Sequence, residues 1–362
     1  MLTVFIVFAL VLMLAWANGA NDIAKGVATL VGNGTANARR AIIWGTLWTL
    51  AGGLTAIAWG TALVTTFSSG YLSPGFPVDV TFLFSTLLGA AIWVFAATRL
   101  SLPVSTTHAL LGGVIGSALT AAGPGALRTA AVANKALLPL LVSPLIAIGL
   151  CALLLLAARF VAKKIPAWSP GCCEPEEWRR YPYICARQPK MQYQLGRAER
   201  VWTALHWLSG GTTSFARGLN DVPKIAAFLI LAVAIIPGIG GVFGPSNSMW
   251  AIVAVTIAMA GGCLWGGFRI LDVLAHRITP LDAGSGLVAN MGTSMLVLAA
   301  SPLGLPVSTT HVSTGALMGV RWTERTRPNH ADALKMILFG WIVTLPVTAV
   351  MAALASWLFN YT

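Results

Sequence analysis

The heptapeptide Leu-Pro-Val-Ser-Thr-Thr-His occurs twice in the chain, at Leu102–His108 and at Leu305–His311. A second motif is also duplicated, as Gly-Ala-Asn-Asp-Ile-Ala-Lys at Gly19–Lys25 and as Gly-Leu-Asn-Asp-Val-Pro-Lys at Gly218–Lys224. The asparagine of this Asn-Asp motif precedes the serine of the Ser-Thr-Thr motif by 84 positions in the first copy and by 88 in the second. Two motifs in the same order at nearly the same spacing indicate that the chain consists of two copies of one unit.

The composition of the chain is strongly apolar. Hydrophobic residues make up 57% of the sequence and charged residues 9%, whereas about 25% of the residues of a soluble domain are charged. Because apolar stretches long enough to span a bilayer recur along the chain, we predict an all-α polytopic protein of the cell membrane. These stretches are Leu2–Trp16, Ala41–Phe67, Val80–Thr98, Ala136–Phe160, Met249–Leu274, Leu287–Ala300 and Met336–Phe359.

The net charge of +12 does not indicate a nucleic-acid partner, because the basic residues gather at the ends of apolar segments. Cys172, Cys173 and Cys185 lie in the one long polar segment, and a metal site that they would form with His206 matches no zinc spacing well. We therefore expect no metal site and no cofactor.

The chain divides into three parts. Residues 1–158 form a first membrane repeat, residues 201–362 form a second, and residues 159–200 form a basic linker between them. The linker carries nine of the 23 basic residues and four of the 11 acidic ones. The first apolar stretch has no basic residues before it, so we keep it in the mature protein rather than interpret it as a signal peptide.

The charges of the short loops predict the topology. The loop after the first Asn-Asp motif ends in Arg39 and Arg40, and its counterpart Pro237–Ser248 has no charge. The next loop, Phe67–Val80, carries only an aspartate, whereas its counterpart is basic. Because positive loops stay in the cytoplasm, the two repeats have inverted topologies. Five crossings per repeat then place the linker in the cytoplasm and both termini outside.

The Ser-Thr-Thr motif predicts a helix start within the membrane. Pro103 and Pro306 end any preceding helix, and Ser105 and Ser308 are favourable N-caps. Broken helices of this kind, meeting in mid-membrane, leave free N–H groups and the positive end of a helix dipole beside hydroxyls, which suits a tetrahedral oxyanion. The alternative is that the motif only caps a helix. The candidate substrate-binding residues are Ser105, Thr106, Thr107, Ser308, Thr309, Thr310, Asn21 and Asn220.

The Asn-Asp motif places one acid of each repeat in the membrane. Asp22 and Asp221 are N-cap candidates, and an intramembrane carboxylate indicates function because burying an unpaired charge is costly. Together with Asn21 and Asn220 they are the candidate residues for a coupling ion, either Na⁺ or H⁺. The alternative is an ion pair between each aspartate and the lysine three positions further along the helix.

These duplicated motifs resemble those of the PiT family of inorganic phosphate transporters. The resemblance rests on the two Gly-x-Asn-Asp segments and the two Pro-Val-Ser-Thr-Thr-His segments. It implies an inverted-repeat symporter that takes up phosphate with Na⁺ or H⁺, forms a homodimer and has both termini outside.

The sequence departs from the family at three positions. Thr49 and Asn290 stand where the family typically has glutamates, and Arg217 stands where a histidine is common. Sulfate permeases occur in the same family, so sulfate or another tetrahedral oxyanion is the alternative substrate. Monohydrogen phosphate has a proton to donate and sulfate has none, but the sequence does not decide whether the aspartates are free to accept it.

Other classes of function fit the sequence less well. A channel requires a continuous polar pore lining, whereas the polar residues here gather at four breaks. An enzyme requires a nucleophile and a base, and Ser105 and His108 are close in sequence. However, the same serine in both repeats is what a symmetric binding site predicts. We therefore expect a transporter and no catalytic residues.

The topology predicts which loops a membrane-impermeant thiol reagent reaches. After removal of the native cysteines, Gly75→Cys and Gly241→Cys should be labelled in intact cells, because both loops lie outside. Glu176→Cys should be labelled only after the cells are permeabilised, because it lies in the linker. Labelling of Glu176→Cys in intact cells would contradict this orientation.

Overall fold

The computed structural model describes residues 2–164, 197–235, 248–275, 283–322 and 331–361, which are almost entirely helical. The numbered helices are α1 (Leu2–Asp22), α2 (Ala24–Gly32), α3 (Ala38–Trp59), α4 (Val80–Arg99), α5 (Thr106–Ala122), α6 (Leu138–Lys164), α7 (Arg197–Ile235), α8 (Met249–Gly266), α9 (Ala283–Ala300), α10 (Thr309–Trp322) and α11 (Ala331–Tyr361). Shorter helical segments are Thr61–Thr65, Thr66–Gly70, Pro124–Ala126, Thr129–Ala131, Val132–Leu137, Phe268–Val273 and Ser301–Leu303.

The helices confirm the predicted class, an all-α polytopic membrane protein. Within the described ranges, 8 helical segments are long and apolar enough to cross a membrane. One of them, Arg200–Ile235, is absent from the seven apolar stretches of the sequence. Its polar Asn-Asp motif interrupts the run of apolar residues, although the helix continues through it.

The Ser-Thr-Thr motifs begin helices as predicted. Helix α4 ends at Arg99 and helix α9 at Ala300, so each motif is separated from the helix before it. The Ser105 hydroxyl accepts a hydrogen bond from the His108 backbone N–H at 3.2 Å, and the Ser308 hydroxyl accepts one from His311 N–H at 3.2 Å. Both serines therefore satisfy a free donor of the first helical turn.

The prediction that the aspartates cap helices is wrong. Asp22 is the last residue of α1, and α2 follows after Ile23 without a side-chain cap. Asp221 lies inside α7, which continues through Pro223. A helix within a membrane is favoured over an open break because its backbone groups bond to each other. Packing in the protein interior thus keeps α7 continuous in spite of its proline.

The two halves of the chain, residues 2–164 and 197–361, make matching contacts. Helix α3 packs on α7, and α8 packs on α1. A methyl group built on Gly52 would lie 2.0 Å from the Phe215 carbonyl oxygen, and one on Gly262 would lie 1.8 Å from that of Trp16. Phe215 and Trp16 both stand three residues before an Asn-Asp motif. Close glycine contacts thus fix each motif helix against a helix of the other half.

The last helix of each half also packs on the other half. Helix α11 packs on α5, and α6 packs on α10. A methyl group on Gly116 would lie 2.0 Å from the Ala349 carbonyl oxygen, and one on Gly319 would lie 2.2 Å from that of Ile148. Each Ser-Thr-Thr helix is therefore held by the other half, and neither half builds its site alone.

Several predictions fall outside the described residues or are not tested by them. Residues 165–196 of the linker, with Cys172, Cys173 and Cys185, and the loop around Gly241 lie outside. The inversion of the repeats, the five crossings and the placement of the termini therefore stay predictions. The matching contacts of the two halves are consistent with inverted repeats.

Candidate functional site

The four duplicated motifs meet in one buried cluster. The Asn-Asp motifs lie at the end of α1 and in the middle of α7, and the Ser-Thr-Thr motifs lie at the starts of α5 and α10. All ten side chains predicted to bind substrate or coupling ion are buried. These are Asn21, Asp22, Ser105, Thr106, Thr107, Asn220, Asp221, Ser308, Thr309 and Thr310.

Each aspartate pairs with the lysine three residues further on. Lys25 Nζ lies 2.5 Å from Asp22 Oδ1, and Lys224 Nζ lies 3.1 Å from Asp221 Oδ1. Both pairs are shielded from solvent. A buried ammonium requires both charge compensation and hydrogen-bond acceptors. The ion pair that the sequence offered as an alternative is therefore present in both halves.

Each lysine also donates a hydrogen bond to a threonine of the other half of the chain. Lys25 Nζ donates to the Thr310 hydroxyl, and Lys224 Nζ donates to the Thr107 hydroxyl at 2.8 Å. Each lysine also donates to the backbone carbonyl just before a Ser-Thr-Thr motif, Lys25 to Val104 at 3.4 Å and Lys224 to Val307 at 3.1 Å. The cationic centre of each half is thus built from both halves.

The asparagines of the motifs hold the non-helical segments that precede the Ser-Thr-Thr motifs. The Asn21 side chain donates to the Leu102 carbonyl at 2.9 Å and accepts from the Val104 N–H at 3.1 Å. Asn220 donates to the Val307 carbonyl at 3.2 Å. Both asparagines therefore satisfy backbone groups that a broken helix leaves open inside the membrane.

Asn18, which lies outside the duplicated motifs, forms a hydrogen-bond network with the two aspartates and with Thr106. The Asn18 amide donates to the Thr106 hydroxyl at 2.9 Å, and it lies 3.4 Å from Asp22 Oδ2 and 3.5 Å from Asp221 Oδ2. The Thr309 hydroxyl donates to Asp22 Oδ2 at 3.2 Å. One oxygen of each carboxylate therefore faces the same small region between the halves.

Arg217 adds a third buried cation to the cluster. It donates to the Thr49 hydroxyl at 2.6 Å, to the Asn18 carbonyl oxygen at 3.3 Å and to Cys263 Sγ at 3.3 Å. It forms no ion pair with any carboxylate in the part of the chain that the structure describes, and its Nε has no partner there. Arg217 thus adds a buried positive charge that has no salt-bridge partner among the described residues.

Asn18 and Arg217 occupy equivalent positions, each directly before the glycine of an Asn-Asp motif. They contact each other, so this pair lies where the two halves meet. Asn18 can be found from the sequence when the alignment of the two copies is extended by one residue before the glycine of the motif. Arg217 and Thr49 are two of the three departures from the family, and the structure brings these two into direct contact.

The cluster can hold an anion and a cation close together. Three cationic side chains provide donors for an oxyanion, and the Thr106 hydroxyl can add its own. The hydroxyls of Thr107, Thr309 and Thr310 donate to it when it replaces their acceptors, the Val307 carbonyl, Asp22 Oδ2 and the Val104 carbonyl. Two carboxylates provide hard oxygen ligands or proton acceptors. Within the described residues no group of three or more His, Cys, Asp and Glu side chains is placed to hold a metal ion.

Comparison with known proteins identifies the family. The model of the phosphate transporter family matches residues 18–352. The chain belongs to this family. It is a multi-pass membrane transporter and not an enzyme, and the resemblance that the duplicated motifs indicated is confirmed.

Individual members of the family match over nearly the whole chain. A protein of Rhizobium meliloti (strain 1021), named a probable low-affinity inorganic phosphate transporter, is 27% identical over 96% of this chain and 93% of its own. Inorganic phosphate transporter 2-1, chloroplastic, of Arabidopsis thaliana is 26% identical over 96% of this chain and 70% of its own. A solved structure of a sodium-dependent phosphate transporter has the same fold, with a TM-score of 0.81 at 23% identity over 100% of both chains.

The contacts of the threonines predict the effect of removing their hydroxyls. Thr107→Val and Thr310→Val keep the side-chain shape but remove a hydroxyl that would donate to the bound anion, and hydrogen bonds to charged groups contribute about 1.5–3 kcal/mol. Each variant should raise the KM of uptake about tenfold or more. Thr314→Val is the matched control, because the Thr314 hydroxyl donates to the Thr310 carbonyl of its own helix. KM values of Thr107→Val and Thr310→Val that equal those of the wild type and of Thr314→Val would show that the hydroxyls of the motif do not bind substrate.

Proposed function

We propose that the chain is a secondary active transporter that imports inorganic phosphate together with Na⁺ or H⁺. The anion binds among the Ser-Thr-Thr motifs and the three buried cations. The coupling ion binds at the two aspartates. The observation that supports this function most directly is a positively charged, hydroxyl-lined cluster that both halves build in the protein interior.

The charges of the cluster favour an anion. Among the side chains that the structure describes, the buried acids are Asp22 and Asp221, and the buried lysines and arginine are Lys25, Lys224 and Arg217. Three cations and two carboxylates leave a net charge of +1. A buried net charge is costly, so a bound anion stabilises this arrangement.

The same charges support coupling to a cation. Monohydrogen phosphate carries two negative charges, so its binding to a cluster of net charge +1 leaves one negative charge without compensation. One co-transported Na⁺ or H⁺ neutralises it. Asp22 Oδ2 and Asp221 Oδ2 are the carboxylate oxygens that no lysine engages. Both lie near the Asn18 amide and offer a place for this ion between the two halves.

Sulfate is the second candidate substrate, and a contact of the structure favours it. One oxygen of each aspartate is already engaged by a lysine. Monohydrogen phosphate requires an acceptor for its proton, whereas sulfate requires only donors. Asp221 Oδ2, which accepts a long hydrogen bond of 3.5 Å from Asn18, is the acceptor that phosphate would use.

The proposed transporter is a homodimer, with its termini outside the cell and its linker in the cytoplasm.

Radiolabelled phosphate uptake into proteoliposomes tests this function. Under a Na⁺ gradient alone or a pH gradient alone, one of the two should drive saturable accumulation above that of empty liposomes. Asp22→Asn and Asp221→Asn should abolish accumulation, because each removes a negative charge that the coupling ion needs. Binding of labelled phosphate to the purified variants should persist, since the donors remain.

Three outcomes of this assay count against the proposal. Absence of saturable uptake under both gradients contradicts transport of phosphate. Uptake of labelled sulfate that unlabelled phosphate does not reduce establishes the second candidate. Normal accumulation by either aspartate variant shows that the aspartate serves only as the partner of its lysine.

A further inference from the structure

A second polar region adjoins the buried cluster of the four duplicated motifs (the central cluster) on one side of Lys25. Thr29 lies one helical turn beyond Lys25 on α2. Its hydroxyl contacts the Asn290 amide of α9 at 2.9 Å and His206 Nε2 of α7 at 3.1 Å. The backbone carbonyl of Asn290 in turn accepts a hydrogen bond from the Thr213 hydroxyl at 3.0 Å. The region therefore joins three helices through buried polar side chains.

A small cavity lies within this region. Its polar lining consists of Lys25, Thr29, Asn290, Thr293 and Ser313. The volume of about 20 Å³ is sufficient for a water molecule, and the lining offers the polar partners that a buried water needs. Lys25 belongs both to this lining and to the central cluster, so the cavity lies directly beside the proposed anion site.

The positions equivalent to the four neutral polar lining residues are apolar in the other half, whereas the equivalent of the lining residue Ala289 is the buried Thr86. Counting from the duplicated motifs, Thr29 corresponds to Phe228, just as Lys25 corresponds to Lys224. The other lining positions correspond in the same way, Asn290 to Leu87, Thr293 to Ala90 and Ser313 to Leu110. All four apolar counterparts are buried.

The difference extends beyond the cavity. On α7, the polar His206, Ser209 and Thr213 precede the second Asn-Asp motif, and at the equivalent positions of α1 the residues are Val7, Leu10 and Leu14. These three apolar residues belong to the largest hydrophobic core cluster of the protein. Two structurally equivalent regions beside the central cluster thus differ in polarity at most of these positions.

We propose that the polar region is the passage through which the anion moves between the central site and one side of the membrane. This inference rests on the proposed transport function. Hydroxyl and amide groups replace the water that the anion loses on entering, whereas an apolar lining offers no such replacement. The apolar counterpart region closes the other side in the conformation that the structure shows.

The passage leads to the cytoplasm in the topology predicted from charge. Helix α2 ends at Gly32, shortly before Arg39 and Arg40, whose loop is placed in the cytoplasm. The hydrogen bonds of Thr29 with Asn290 and His206 narrow the passage to a cavity for one water molecule. An anion or a small thiol reagent passes when these contacts open. Asn290, at a position where the family has a glutamate, is a neutral residue here. A neutral amide does not repel a passing anion.

Cysteine accessibility tests the passage with matched controls from the two halves. The parent protein keeps the buried Cys151 and Cys263 and has Cys172, Cys173 and Cys185 replaced by serine. Into this parent we would introduce Thr293→Cys or Ser313→Cys, and as controls the equivalents Ala90→Cys or Leu110→Cys. The probe is a small, charged methanethiosulfonate reagent that reacts only with thiols reached by water.

The passage predicts a clear difference between the pairs. The cysteines at 293 and 313 should react at least tenfold faster than those at 90 and 110, and from the cytoplasmic face only. Inorganic phosphate should slow their reaction, and modification should block phosphate uptake. Equal rates in the two members of both pairs, or faster reaction at 90 and 110, would overturn the proposal.

The same experiment separates this inference from the transport function. The rate of modification is measured in the absence of substrate, so it reports the passage even in a protein that does not take up phosphate. Asymmetric modification without phosphate uptake would refute the proposed substrate and leave the passage standing. Phosphate uptake with symmetric modification would refute the passage and leave the function standing.

Discussion

The rest of the structure depends on two buried lysines, each paired with an aspartate of its own half and bound by a threonine of the other. A charged group that leaves water must be paired and hydrogen-bonded, or it destabilises the fold. Because the acceptors come from both halves, the charges are satisfied only when the halves are assembled. An anion that competes for these donors is therefore coupled to the contact between the halves.

Close packing makes these crossed contacts possible. Glycines at 52, 116, 262 and 319 let helices of different halves approach until backbone meets backbone. Small residues are the usual means of bringing membrane helices together, since lipid provides little hydrophobic drive for helix association. The glycines therefore set the positions of the lysines and hydroxyls, although they carry no chemistry themselves.

Local signals in the sequence predicted the local features of the site. Proline followed by serine specifies a helix start through contacts within four residues, and both serines cap as expected. The caps assigned to Asp22 and Asp221 were wrong because α1 continues to Asp22 and packing against distant helices keeps α7 helical through Asp221. The contact between Lys25 and Thr310 spans 285 positions, and a repeat alone does not tell which copies meet.

Positions at which the two copies differ also contribute to the site and to its surroundings. Arg217 stands where the first copy has Asn18, and Thr29 stands where the second copy has Phe228. The duplicated motifs show what the halves share, whereas the buried cation without a salt bridge and the polar region beside Lys25 lie at positions where the halves differ. Both features are visible in the amino-acid sequence when the two copies are compared position by position beyond the motifs.

A structure of the protein with phosphate bound, determined in lipid, would show whether both halves build the anion site. We expect a tetrahedral density that contacts Ser-Thr-Thr residues of both halves at once, with at least one of Lys25 and Lys224 bound to the anion. Density held by the motif of one half alone, or placed away from both lysines, would contradict a site built jointly by the two repeats.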